Sequence, residues 1–134
     1  MLAVALVWMR VLQAQPSSGF CGHRALERWM EEIKSPVKTR NEALAKLASR
    51  PLVSVDALSR SLSEVGVAHR VVSPELLNSE TVPAILWLDR GHFVVVLSRS
   101  ARGWIVFDPD DSEHSRSWSE DRLTAERGKL AIVR

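Results

Sequence analysis

Residues 91–109 read GHFVVVLSRSARGWIVFDP, and this stretch decides the fold. His92–Leu97 and Trp104–Phe107 are apolar runs rich in β-branched and aromatic residues, the composition of strands. Arg99–Gly103 between them is short enough for a hairpin connection, so the two strands should be antiparallel neighbours. A turn about Ser100 puts His92 and Asp108 each eight residues from its centre, on opposite arms. Directly opposed residues share a face, with β-carbons about 4.5–5.5 Å apart, so a carboxylate at 108 reaches an imidazole N–H at 92. A slip of one in register still leaves them neighbours.

Working outward, Val67–Val72, Pro83–Leu88 and Leu130–Val133 are further short apolar or β-branched runs, and Asp89-Arg90-Gly91 makes a second hairpin connection. The N-terminal half has helical period instead. Ala25, Leu26, Trp29, Met30 and Ile33 form one stripe over Cys21–Ile33, with Arg24, Glu27, Arg28 and Glu31 largely opposite, until Pro36 breaks the pattern. Thr39 and Glu42 form a capping-box pair that should open a second helix through Leu44, Ala45, Leu47 and Ala48, closed by Pro51. Ser54 caps a third helix carrying Val55, Leu58, Leu62 and Val65, and Gly66 fits the left-handed position beyond its end. The turn-rich Gln13–Gly19 should supply the cap for the helix that starts at Cys21. Met1–Met9 is apolar but lacks the leading charge and cleavage site of a signal peptide, and it has about half the length of a membrane span; it reads as a buried strand or core segment. Helices followed by an antiparallel sheet make an α+β fold, expected as one domain over residues 1–134.

The chain has 134 residues, 46% hydrophobic and 25% charged, so a disordered tail is excluded. One cysteine excludes an intrachain disulfide framework and a cysteine-based zinc site. Eighteen basic and 16 acidic residues are spread without a basic stripe, which argues against nucleic acid as a partner. No membrane insertion by this chain is expected. The acidic run Asp108, Asp110, Asp111 and Glu113 lacks the glycine and terminal glutamate of a calcium loop and reads as a solvated turn, so neither metal nor cofactor is expected. His23 reads as a surface or capping residue, and His69 and His114 lack a partner pattern. Trp29, Trp87, Trp104 and Trp118 read as core or pocket-wall residues.

A cysteine at the first turn of an amphipathic helix sits at the positive end of the dipole, where a thiolate is favoured. Cys21, His92 and Asp108 then supply a nucleophile, a general base and acid, and an orienting carboxylate. Gln15, six residues before Cys21, offers a side-chain amide beside the Cys21 N–H as an oxyanion donor.

Gln15-Pro-Ser-Ser-Gly-Phe-Cys21-Gly22-His-Arg-Ala25-Leu26, Pro83-Ala-Ile-Leu-Trp-Leu, Gly91-His92-Phe-Val-Val-Val-Leu97 and Phe107-Asp108-Pro109 together resemble the C39 peptidase family, over nearly the whole chain. The resemblance implies a papain-like fold with N-terminal helices packed on an antiparallel sheet. It also implies a cysteine endopeptidase in which Cys21 is nucleophile, His92 general base and acid, Asp108 orienter and Gln15 oxyanion donor. The family is best known as the cytosolic N-terminal domain of bacterial ABC transporters that cut leader peptides after a Gly-Gly pair during bacteriocin export. Related domains act as toxins delivered into a rival cell and restrained by a cognate immunity protein. The implied partners are a polypeptide with a Gly-Gly site and a transporter or an inhibitor, in a bacterial cytoplasm or that of a target cell. The chain departs from the family in having no second cysteine shortly after Cys21. Two rivals use the same residues differently: a glutamine deamidase or transglutaminase, and a module that binds leader peptides without cutting them.

Overall fold

The computed structural model describes residues 20–111 and 115–134. The segments expected at Met1–Met9 and Gln13–Gly19 lie outside them, as does Gln15. The described chain runs α1 (Cys21–Glu32), α2 (Val37–Ala45), α3 (Val55–Glu64), β1 (Arg70–Val72), a 3-10 turn (Pro74–Leu76), β2 (Ala84–Leu88), β3 (His92–Ser100), β4 (Gly103–Phe107), β5 (Ser115–Ser119), α4 (Glu120–Glu126) and β6 (Arg127–Val133). The strands form one six-stranded sheet in the order β1-β6-β2-β3-β4-β5, and every neighbouring pair is antiparallel. The α+β expectation is met.

Strict alternation divides the sheet's side chains between two cores. Ile85, Phe93, Val95, Phe107 and Ile132 face Ala25, Leu26, Trp29 and Met30 of α1, with Ala43, Leu47, Leu58 and Leu62 behind them. Leu86, Leu88, Val94, Val96, Trp104, Val106, Ala131 and Val133 pack on the other face with Trp118 and Leu123. Burial on both faces is why β2, β3 and β6 read as continuous apolar runs rather than alternating ones. Trp29 also ties the layers together, its Nε1 donating to the Pro83 carbonyl at 2.9 Å. Gly22 lets α1 approach the sheet: a Cβ there would lie 2.3 Å from Val53 Cγ2 and 3.3 Å from the Phe93 ring.

Helix ends follow local chemistry, with some corrections. Ser54 Oγ accepts from the Ala57 N–H at 3.0 Å, as a cap should. Gly66, at φ 78°, closes α3 with Gly66 N–H to Ser63 O and Val67 N–H to Leu62 O. That closure takes up Val67, so β1 begins at Arg70 rather than at Val67. α2 starts at Val37 behind Pro36, which places Thr39 inside the helix, and no side chain caps it. α1 is entered through Phe20 at φ 67°, again with no side-chain cap.

The β3–β4 hairpin is longer than expected and turns at Ala101–Arg102, with Ser100 opposite Gly103. A bulge between Val96 and Ser98 then shifts the register, so that Val95 lies opposite Phe107. Continuing that register brings Asp108 level with Val94, two residues from His92. The pair is diagonal rather than directly opposed, a separation still within reach of long side chains. No described helix is long and apolar enough to cross a membrane.

Candidate active site

Cys21 is the first residue of α1 and is buried. The first turn of α1 contains no acidic residue and no side-chain cap among the described residues, so nothing there neutralises its positive end. Two bonds fix the entry: Phe20 donates its N–H to Pro51 O at 2.9 Å, and Arg24 closes back on Phe20 O.

His92 opens β3 and is 1% exposed. Its Nε2 donates to Asp108 Oδ1 at 2.6 Å. The same oxygen accepts the Asp110 backbone N–H at 2.9 Å, while the Asp111 N–H bonds the Asp108 carbonyl to close the turn after β4. Asp108 Oδ2 lies 3.6 Å from Arg90 Nη2, and Arg90 in turn is 3.8 Å from Glu126 at the end of α4. The imidazole's other nitrogen, Nδ1, is buried without a hydrogen bond among the described residues. It is the nitrogen left for the Cys21 thiol, which lies beside the ring.

The electrostatics follow from these contacts. Burial works to lower the His92 pKa, but the Asp108 hydrogen bond, the Cys21 thiol beside the ring and the charges of both outweigh it and raise the value to about 9. Burial likewise works to raise the Asp108 pKa, yet the His92 bond, the Asp110 N–H, the imidazolium charge and Arg90 together hold it below its ordinary 3.8. A protonated imidazole between a carboxylate and a thiol is the arrangement these shifts favour.

The structure thus brings Cys21, His92 and Asp108 together. Arg90 and Asp110 also belong to this neighbourhood, and the sequence reading missed both roles. Their placement depends on how two turns fold back on the sheet, for which no local pattern exists. His23 corrects the surface reading: it is buried, stacks edge-on against Phe20 and bonds Leu47 O through Nε2 at 2.6 Å. His69 also has partners, Ser59 Oγ at 2.6 Å and Val67 O at 2.9 Å. By spacing alone, His92, Asp108 and Asp110 are the described residues that could hold a metal ion, each offering an atom within 4.8 Å of the others. The short His92–Asp108 bond already occupies Nε2.

Beside this site runs an apolar groove of about 500 Å³ lined by Leu52, Val53, Val55, Trp87 and Leu130. Val53 abuts Gly22, and Trp87 packs on Phe93 with ring centroids 4.7 Å apart, so the groove borders the start of α1, where Cys21 lies.

The sequence matches the model of the peptidase C39 family over residues 13–133. The chain belongs to that family. C39 domains are cysteine peptidases, a class of hydrolase, and the family match places this domain among them. Solved structures share its fold. A double glycine motif protease from an AMS/PCAT transporter, in complex with the leader peptide, superposes with a TM-score of 0.68 at 17% identity, covering 84% of this chain and 81% of its own. The peptidase domain of Streptococcus ComA, a bi-functional ABC transporter of a quorum sensing pathway, gives 0.62 at 19% identity, over 84% and 88%. The N-terminal C39-like domain of a toxin secretion ATP-binding protein from Vibrio parahaemolyticus gives 0.58 at 17% identity, over 81% and 94%. No curated protein matches this C39 domain in sequence.

Proposed function

We propose that this C39 domain hydrolyses polypeptides after a Gly-Gly pair, with Cys21 as nucleophile, His92 as general acid and base, and Asp108 as orienter. The observation that carries the reading is the imidazole held between the Cys21 thiol and the Asp108 carboxylate, with Nε2 bonded to Asp108 at 2.6 Å. In the first step the Cys21 proton passes to His92 Nδ1 and the thiolate Sγ bonds to the scissile carbonyl carbon. The oxyanion takes hydrogen bonds from the Cys21 N–H and from the amide of Gln15. His92 passes the Nδ1 proton to the leaving nitrogen, the C–N bond breaks, and a thioester remains. His92 then accepts a proton from water, which attacks the thioester and frees Cys21. Asp108 keeps Nδ1 directed at the thiol throughout.

A leader peptide is the substrate class best supported, because a solved relative of this fold is a double glycine protease bound to one. The apolar groove beside Gly22 gives such a chain a surface to lie on. Wild type and Cys21→Ala are incubated with polypeptides carrying Gly-Gly or matched Gly-Ala sites and read by mass spectrometry. Fragments ending in Gly-Gly from wild type alone are expected. Intact chains at every enzyme concentration defeat the Gly-Gly reading, and deamidation without a cut transfers the site to amide chemistry.

A further inference from the structure

The turn that follows β4 carries three acidic side chains within the described residues, and two of them are matched by basic partners. Asp108 holds His92 and faces Arg90, and Asp111 is ion-paired with Arg116. Asp110 has no lysine or arginine partner among the described residues. Its Oδ2 lies instead 3.9 Å from His92 Nδ1, and its side chain is 31% exposed. Its backbone N–H is fixed on Asp108, which holds the residue in place. The nitrogen it faces belongs to a side chain that is 99% buried, and among the described residues that atom has no hydrogen bond of its own. In the proposed reaction Nδ1 is where the leaving amine collects its proton. A carboxylate without a lysine or arginine partner among the described residues, 3.9 Å from that nitrogen, therefore borders the space of the residue just after the cut.

We infer that Asp110 is a specificity residue that selects polypeptides with a lysine or arginine immediately after the scissile bond. The inference rests on the peptidase reading above. A cation there meets a carboxylate whose one basic neighbour among the described residues is the His92 imidazole at 3.9 Å, whereas a glutamate or aspartate meets like charge in a cleft that already contains Asp108. The scissile nitrogen is also cationic after His92 has protonated it and until the C–N bond breaks, so the same carboxylate faces a transient positive charge before the amine leaves neutral.

The test uses three peptides identical through Gly-Gly and followed by Lys, Ser or Glu, compared as kcat/KM ratios within each protein. Wild type should prefer Lys over Glu by about three- to tenfold, the range expected of one partly exposed charge contact. Asp110→Asn keeps the backbone N–H that Asp108 needs and should bring the ratio close to one. Asp110→Lys should invert it. An Asp110→Asn ratio equal to that of wild type overturns the inference. A second readout does not depend on proteolysis: alkylation of Cys21 by cationic 2-bromoethylammonium relative to neutral iodoacetamide should fall several-fold in Asp110→Asn. If no Gly-Gly peptide is cut by wild type, the peptidase reading fails on its own. The alkylation ratio then decides Asp110, and an unchanged ratio refutes it.

Discussion

His23 and His92 are nearly matched in burial and in hydrogen bonding, and they differ in what the bond is made to. Each commits Nε2 to a 2.6 Å bond and leaves Nδ1 without one among the described residues. His23 meets the neutral carbonyl of Leu47, which clamps α1 to the end of α2's extension. His92 meets a carboxylate on one side and a thiol on the other, and its pKa rises to about 9. Burial and bond count are thus poor guides to chemistry. A charged acceptor turns a packed imidazole into a proton carrier, and a neutral one makes it a brace.

The contrast can be broken most sharply at the nucleophile. Cys21→Ala should abolish peptide cleavage, by roughly 10⁴-fold or more in kcat, while leaving the thermal melt close to that of wild type. Exchange at the two histidines separates brace from proton carrier. His92→Ala should lose activity on nearly the same scale, by roughly 10³-fold or more. His23→Ala should keep kcat within about tenfold but lower unfolding free energy by about 1–3 kcal/mol, since the Leu47 carbonyl stays buried without its donor. A His23→Ala protein that is stable but inactive would make the two sites equivalent and undo the comparison.

A pH profile sharpens it further. A histidine whose folded pKa is raised from 6.5 to about 9 contributes stability fully below pH 6.5, and that contribution is lost as pH rises through about 9. The alkaline limb of kcat/KM should accordingly lie near 9. Asp108 has the opposite sign. Its pKa is depressed below 3.8, so its contribution is present above 3.8 and is lost only as pH falls through the depressed value. Asp108→Asn should lower kcat by roughly 10²-fold or more and move the alkaline limb down. An unmoved limb would assign it to another group. The smallest effect is structural: Gly22→Ala should cost about 1–3 kcal/mol in denaturant unfolding, because its Cβ has no room beside Val53.

Much of this was legible in the residue order. The stripe Ala25, Leu26, Trp29 and Met30 announced α1, and the apolar runs announced β2, β3, β4 and the end of β6, because burial on both faces leaves few polar residues to confuse the pattern. β5 was not legible. Ser115–Ser119 reads SRSWS, and as an edge strand it buries only Trp118, so nothing distinguishes it from a loop. α4 is seven residues long and gives too short a window for helical period. At the site, the pairing of His92 with Asp108 was foreseen through a register that proved wrong. The turn lies farther along and the bulge near Leu97 restores one residue of the offset, an irregularity that side-chain alternation does not encode. His23 was misread because its burial is decided by Leu47, twenty-four residues away, and not by its position on α1.

Gly22 has one last consequence. In the proposed reaction the nucleophile is carried by a helix and the proton carrier by a sheet, so the two meet across the seam between two layers. With no side chain at position 22, the start of α1 sits close against Phe93 on the sheet and Val53 in the loop before α3. A small molecule wedged between Val53 and Trp87 would silence the enzyme by opening the seam, and its signature would be lost turnover with the thiol still open to alkylation.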